Sequence, residues 1–515
     1  MAQESRVKKS LLNARVNLIF YFLTLALSFF SRKIFLDCLG ADFVGLTGTL
    51  QNLLGFLNLA ELGIGSAIGY VLYKPLFDHD EAKINEIISV FGYLYRWIGR
   101  IILGAGCILA CFLPLIFPDT QFELGIIFFA YFAFLASSLI GYFANYKQTL
   151  LGADQKNYVV TAYFQTATIV KTLIQMASAY YTGSYYLWVV IELVFGIIYS
   201  FILNWKINQV YPWLRSEVKQ GKLLFKKYPE VMRYTKQLFI QKISEVVRTQ
   251  TLPILIYAFS SLKIVAYYGN YTIITDKLIL LLGSVLGGVA ASIGNLVAEG
   301  NNKNSLKVFW ELMSIRFLVS GIFMFSIYLL LPPFISLWLG DEYILSETVL
   351  WLLILNILIG LVRMGIEQFL YAFGLFYDIW APLLGTVIFI FLSILGGHLW
   401  GMEGVLFGNC ISLILIYLIW KPVFLFTKGF KISISSYWKN FFIYLFILIS
   451  SFIIAIFIIN SIEIINHAKD SWMNWILSSC IIVGIFSLIY FIFMYIGSQG
   501  TRDFLKRLKY NKKTI

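Results

Sequence analysis

The stretch LGFLNLAELGIGSAIGYVL, Leu54 to Leu72, is apolar or small at nearly every position and long enough to cross a hydrocarbon core of about 30 Å, yet it carries a carboxylate, Glu61. Comparable apolar runs recur from one end of the 515-residue chain to the other, and no polar stretch between them is long enough to form a separate soluble domain. Composition agrees, with 59% of residues hydrophobic, only 13% charged and a mean hydropathy of +0.80. The chain reads as an all-α polytopic membrane protein, because helices satisfy their own backbone hydrogen bonds in lipid. The first run, about 11–36, is too long for a signal-peptide core and has no small-residue cleavage site after it, so it is expected to be retained.

Fourteen transmembrane helices fit, at about 11–36, 44–73, 87–116, 122–150, 158–181, 185–205, 234–259, 264–298, 306–334, 347–373, 379–399, 403–426, 438–459 and 472–496. An even count puts both termini on one side, and the basic residues test it. Loops and ends assigned to the cytosol hold 28 of the 40 lysines and arginines, the opposite loops only Lys263 and Lys469. The longest cytosolic connection, 206–236, carries eight basic residues and divides the chain. The expected organisation is an N-terminal lobe, 1–205, a basic linker, 206–233, a C-terminal lobe, 234–430, and a final segment, 431–515, with two accessory helices and a basic tail. VGLTG at Val44 to Gly48 is echoed by VAYYG at Val265 to Gly269, as a repeat relating two six-helix halves would give. The net charge of +13 lies mostly in cytosolic loops and in RDFLKRLKYNKK, Arg502 to Lys513, where anionic membrane lipids account for it without a nucleic-acid partner.

Charges inside the spans cost about 2.5–3.5 kcal/mol each at mid-membrane, so they are expected to face protein or water. The cations are Arg32, Lys33, Arg96, Arg100, Lys171, Lys242, Arg248, Lys277, Arg316 and Arg363; the acids are Glu61, Glu192, Glu245, Asp276 and Glu367. At ~100° per residue, Gln51, Gly55, Asn58, Glu61 and Gly65 share one face of span two, and Gln165, Thr168, Lys171, Thr172 and Gln175 one face of span five. Spans seven and ten carry similar stripes through Arg248 and through Arg363 with Glu367. Such faces either satisfy one another in a packed bundle or line water. Arg363 and Glu367, four residues apart, suit a local ion pair, and Lys242, Arg32 and Lys33 are near enough to span ends to snorkel. Arg96 can also reach cytosolic headgroups. Arg100, Lys171, Arg248, Lys277 and Arg316 have no acid four residues away and suggest a wet cationic chamber for an anionic ligand, such as a phosphate or diphosphate.

Ser31 and Arg32, LGADFVGL at Leu39 to Leu46, AELGIGSA at Ala60 to Ala67 and GADQKNYV at Gly152 to Val159 occur in one order. This set resembles the bacterial polysaccharide flippases of the multidrug, oligosaccharidyl-lipid and polysaccharide exporter superfamily. The resemblance implies two pseudo-symmetric six-helix lobes around a central cavity, with two accessory helices. It implies alternating access that carries an undecaprenyl-diphosphate-linked oligosaccharide from the cytosolic to the outer leaflet of the bacterial cytoplasmic membrane. Arg32, Arg96, Arg100, Lys171, Arg248, Lys277, Arg316 and Arg363 are then candidates for substrate binding, and Glu61, Asp276 and Glu367 for coupling to H+ or Na+ or for gating. Glu61 either takes up a proton or pairs with a nearby arginine.

Other functions fit less well. A multidrug antiporter of the same superfamily calls for an acid-rich lumen, whereas these spans carry a cationic surplus. A peptidoglycan lipid-precursor flippase shares the cationic cavity, and charge alone does not separate it. An integral-membrane polymerase or transferase needs a catalytic loop or a buried histidine, but His79, His398 and His467 lie in loops or at a span end. No metal-ligand spacing or cofactor motif occurs, and the cysteines suit apolar packing. A self-contained bundle makes a monomer the default, able to associate with polysaccharide assembly enzymes.

Overall fold

The computed structural model describes residues 6–57, 61, 64–118, 122–154, 156–287, 293, 296–297, 300–375, 377–462 and 467–511. Among these every regular element is helical. The chain forms two compact units, Met1–Ile254 and Leu255–Ile515.

In the first unit, α1 (Arg6–Leu39) stops at Gly40, whose φ of +90° suits glycine and strains any other residue. α2 (Ala41–Leu57) restarts at once with Asp42 in its first turn, where a carboxylate complements the helix dipole. The LGAD motif is therefore a turn followed by a helix start. α3 (Ile64–Phe77) is the next described helix, and Glu61 lies between the two in sequence. Asn58 of the polar stripe expected in span two lies outside the described residues. The remaining elements are α4 (Glu81–Ala110), α5 (Leu113–Ile116), α6 (Leu124–Ala144), α7 (Gln148–Ala153), α8 (Asn157–Thr182), α9 (Tyr185–Val210) and α10 (Gly221–Phe225). α1 packs along α8, α8 along α9, α9 along α6, and α6 against α4 and α2.

The basic connection is folded onto this unit. Asn85 accepts the Arg215 amide at 2.6 Å, Ser89 accepts the Glu217 amide at 2.9 Å, and Glu86 pairs with Lys227 at 2.7 Å. Gly221 of α10 lies directly on the Ser89 carbonyl, where a side chain has no room. The next helix, α11 (Pro229–Ala258), holds the division between the units within its own length.

The second unit contains α12 (Leu262–Gly287), α13 (Asn302–Leu339), α14 (Glu347–Ala372), α15 (Trp380–Leu413), α16 (Ser435–Ser461), α17 (Trp472–Gly497) and α18 (Gln499–Asn511). α13 is its hub, with α14, α16, α17 and α18 all packed on it. α15 holds two expected spans: Trp400 and Gly401 leave helical geometry, Gly401 at φ +59°, and the chain doubles back so that Ser393 Oγ donates to the Val405 carbonyl at 2.9 Å. Beyond Leu413 the helix continues through two π-helical stretches, Ile414–Trp420 and Leu425–Phe430. Between them Lys421 is buried on Asp378 at 2.8 Å.

Among the described residues, nine helices are long and apolar enough to cross a membrane, one of them the 51-residue Trp380–Phe430 that holds spans eleven and twelve. The expected spans outside that group correspond to α2 with α3, α8, α11 and α12. α8 and α11 carry polar stripes that lower their hydropathy. Outer faces are studded with exposed Ile, Leu and Phe, such as Phe22 and Phe30 of α1 and Phe446 and Phe457 of α16, as a lipid-facing surface requires. This is a multi-pass membrane protein.

Candidate functional site

The polar stripe of α8 decides the geometry of the first unit. Lys171 Nζ meets Glu192 Oε1 of α9 at 2.6 Å, both side chains about one-fifth exposed. Gln175, one turn further along α8, is buried and donates to Glu192 Oε2 at 3.1 Å and to the Trp188 carbonyl at 3.2 Å. The carboxylate is thus held from two sides, which offsets its desolvation.

A cleft of about 280 Å³ opens on one side of this cluster, between α1, α2, α8 and α9. Its polar lining comes from Ser31 and Arg32 of α1, Thr47 and Gln51 of α2, Lys171, Thr172 and Gln175 of α8, and Glu192 of α9. Thr47 Oγ1 and Tyr185 Oη lie 3.3 Å apart, and the ring of Phe43 packs edge-on against Tyr185. A second cleft, of about 470 Å³, lies on the other side, between α6, α8 and α9, and Lys171 and Glu192 line it too. Asn145 is fixed there, its Oδ1 accepting from Ser200 Oγ at 2.7 Å and Asn204 Nδ2 at 3.0 Å. The ion pair therefore stands as a partition between two polar clefts.

Glu61 has a different setting. Among the described residues its partners are tyrosine hydroxyls: Tyr95 of α4 makes a short hydrogen bond to Oε1, and Tyr142 of α6 also bonds to the carboxylate. The GADQKNYV motif is a fastening, in which Asp154 pairs with Lys156 at 2.7 Å and accepts the Tyr211 hydroxyl at 2.8 Å. Burial, with Asp154 beside it, pushes the Tyr211 hydroxyl well above its ordinary pKa.

The other sequence candidates each have their own local setting. Arg96 and Arg100 are exposed on α4, Arg100 with its guanidinium 5.5 Å from the Trp97 ring centre. Arg248 of α11 and Lys277 of α12 are half-buried, and Asp276 is exposed. Arg363 pairs with Glu367 at 2.9 Å and stacks on Tyr417 at 4.0 Å. Arg316 is only 1% exposed, its guanidinium donating to the Leu361 carbonyl at 3.2 Å and Gln368 Oε1 at 2.9 Å, with its stem against Gly365. It is used in the packing of α13 on α14. Among the described residues, Arg32 and Lys171 line one cleft together. The partnership of Lys171 with Glu192 was not visible in local spacing; the Gly183–Ser184 turn joining α8 to α9 is the sequence signal that these helices run side by side. Among the described residues no group of His, Cys, Asp or Glu could hold a metal ion.

This architecture matches that of the lipid II flippase MurJ in an inward closed conformation, with a TM-score of 0.63 over 93% of this chain and 97% of that one at 14% identity. An inward-facing multidrug resistance MATE family transporter of the MOP superfamily matches with a TM-score of 0.56 over 81% of this chain and all of its own, at 15% identity. The chain shares its fold with these two proteins. A MOP superfamily transporter from Pyrococcus furiosus matches with a TM-score of 0.50 over 82% of this chain and 96% of its own, at 13% identity. No protein-family model and no curated protein sequence matches the chain.

Proposed function

We propose that this protein is a flippase that moves an undecaprenyl-diphosphate-linked oligosaccharide from the cytosolic to the outer leaflet of a bacterial cytoplasmic membrane, with both termini in the cytosol. The observation that carries this reading is the cleft that Arg32 and Lys171 line together with Thr47 and Gln51. Arginine forks suit phosphate oxygens, lysine supplies a point charge, and amide and hydroxyl groups suit sugar. No covalent bond changes. The protein lowers the cost of transfer by giving the polar headgroup a hydrated path while the polyprenyl tail stays in lipid, and the two units alternate access to either side. Coupling to H+ or Na+ belongs to the same reading, with Glu61, Asp276 and Glu367 as its candidate groups.

The test is to deplete the protein in its own cell and identify the lipid-linked intermediate that accumulates on the cytosolic leaflet, then to complement with Arg32→Gln/Lys171→Gln. Accumulation of a lipid-linked oligosaccharide, cured by wild type and not by the double variant at equal protein level, is the expected result. Unchanged lipid intermediates with altered dye efflux would assign a drug pump instead. A second reading, a peptidoglycan lipid-precursor flippase, is favoured by the likeness to MurJ spanning 93% of this chain against 81% for the MATE transporter. Accumulation of that precursor would select it.

A further inference from the structure

At the opposite end of the chain from this cleft, α18 turns back from α17 and lies across the start of α13. The turn leaves a second kind of cavity, about 360 Å³, between α13, α16 and α18. Lys303 and Lys307, one turn apart on α13, line it with an aromatic wall of Trp310 and Tyr444, and Asn440, Gln499 and Asp503 complete the polar lining. Its size is in the range of small-ligand sites, ~300–1,000 Å³.

α18 is held by groups other than these lysines. Gly500 sits on the Trp310 carbonyl so closely that no side chain fits. Arg507 donates to the buried carboxylate of Glu311 at 3.1 Å, and Arg502 donates to the Tyr495 carbonyl at the end of α17 at 3.0 Å. Lys307 approaches Asp503 only to 3.8 Å and is about half exposed, and Lys303 is exposed. Two ammonium groups are therefore presented to a cleft that contains one carboxylate.

The location selects the ligand. Lys303 and Lys307 precede the apolar body of α13, so they stand at the level where lipid phosphates lie, and tryptophan and tyrosine are the side chains that favour that level. α18 is itself amphipathic and basic, the pattern of a helix lying in an anionic interface. We propose that this cleft binds the phosphate of an anionic phospholipid headgroup, with Lys303 and Lys307 as counter-charges and α18 as its cover. The site is separate from the Arg32 cleft and does not depend on what the protein transports.

Full-length protein in nanodiscs of phosphatidylcholine with graded phosphatidylglycerol provides the test, with retained lipid counted by native mass spectrometry. Wild type is expected to retain phosphatidylglycerol over phosphatidylcholine, and Lys303→Gln/Lys307→Gln to bind it roughly fivefold more weakly per lysine removed. Lys439→Gln, the same charge change at an exposed site on α16 outside the cleft, should behave as wild type. Asp503→Asn should tighten binding by releasing Lys307. Equal retention by wild type and the double lysine variant would overturn the proposal. So would displacement of the lipid by millimolar inorganic phosphate, which would identify a site for the free anion instead.

Discussion

Lys171 and Glu192 meet at 2.6 Å between α8 and α9 with a polar cleft on each side of them. Removing one partner leaves the other charge buried, whereas removing both leaves no charge, with Gln175 keeping the Trp188 carbonyl as acceptor. Lys171→Met is expected to lower the stability of the purified protein by about 1.5–3 kcal/mol, the value of a charge-assisted hydrogen bond. Lys171→Met/Glu192→Met should recover most of that loss in thermal unfolding and still fail to export glycan. Export by the double variant would reduce the pair to a packing device.

The two tyrosines on Glu61 make a shared network, and such networks are worth more than their parts. Tyr95→Phe and Tyr142→Phe, each measured alone and together by thermal unfolding, are expected to be non-additive by 0.5 kcal/mol or more, roughly the threshold that separates coupled from independent sites. Strict additivity would mean that one tyrosine carries the contact alone.

Arg316 and Arg32 should separate stability from transport. Arg316→Ala empties a packed site between α13 and α14 and leaves the Leu361 carbonyl and Gln368 without their donor, so a loss of about 2–5 kcal/mol and poor membrane yield are expected. Arg32→Gln, on a half-buried cleft wall, should leave yield and melting temperature near wild type while export falls. The reverse pattern, a stable Arg316 variant and an unfolded Arg32 variant, would contradict this division.

The hairpin within α15 brings glycine against glycine. A Cβ on Gly404 would overlap the Gly396 carbonyl, and one on Gly408 would meet the Ser393 backbone at 2.5 Å. Gly404→Ala is expected to cost about 1–3 kcal/mol through overpacking. Gly484→Ala, where α17 leaves open space, should be neutral or slightly stabilising, since alanine is the better helix former. Comparing the two by protein yield and thermal unfolding checks the claim.

Much of the fold was legible because its signals are local. Apolar run length marks the spans, Gly401 and the residues beside it mark the turn between spans eleven and twelve, and the four-residue spacing of Arg363 and Glu367 announces their pair. The contacts that build the clefts are not local. Lys171 with Glu192 and Lys421 with Asp378 depend on how neighbouring helices are rotated and slid against each other, which single-helix periodicity does not encode. Arg316 was unreadable for another reason: a carbonyl and a glutamine leave no charge signature in sequence.

The stacked rings of Phe325 and Phe486, 4.0 Å apart, the Tyr490 hydroxyl on the Phe317 carbonyl, and the notch at Gly321 that Tyr490 fills join α17 to α13. The two terminal spans, expected as add-ons, are thus keyed into the central helix of their unit. A chain ended after Phe430 would leave the Gly321 notch to be filled by acyl chains, which are too mobile to replace a fixed ring. Removing α16 and α17 would therefore call for a resurfaced α13, with a bulkier residue at position 321, rather than for a stop codon alone.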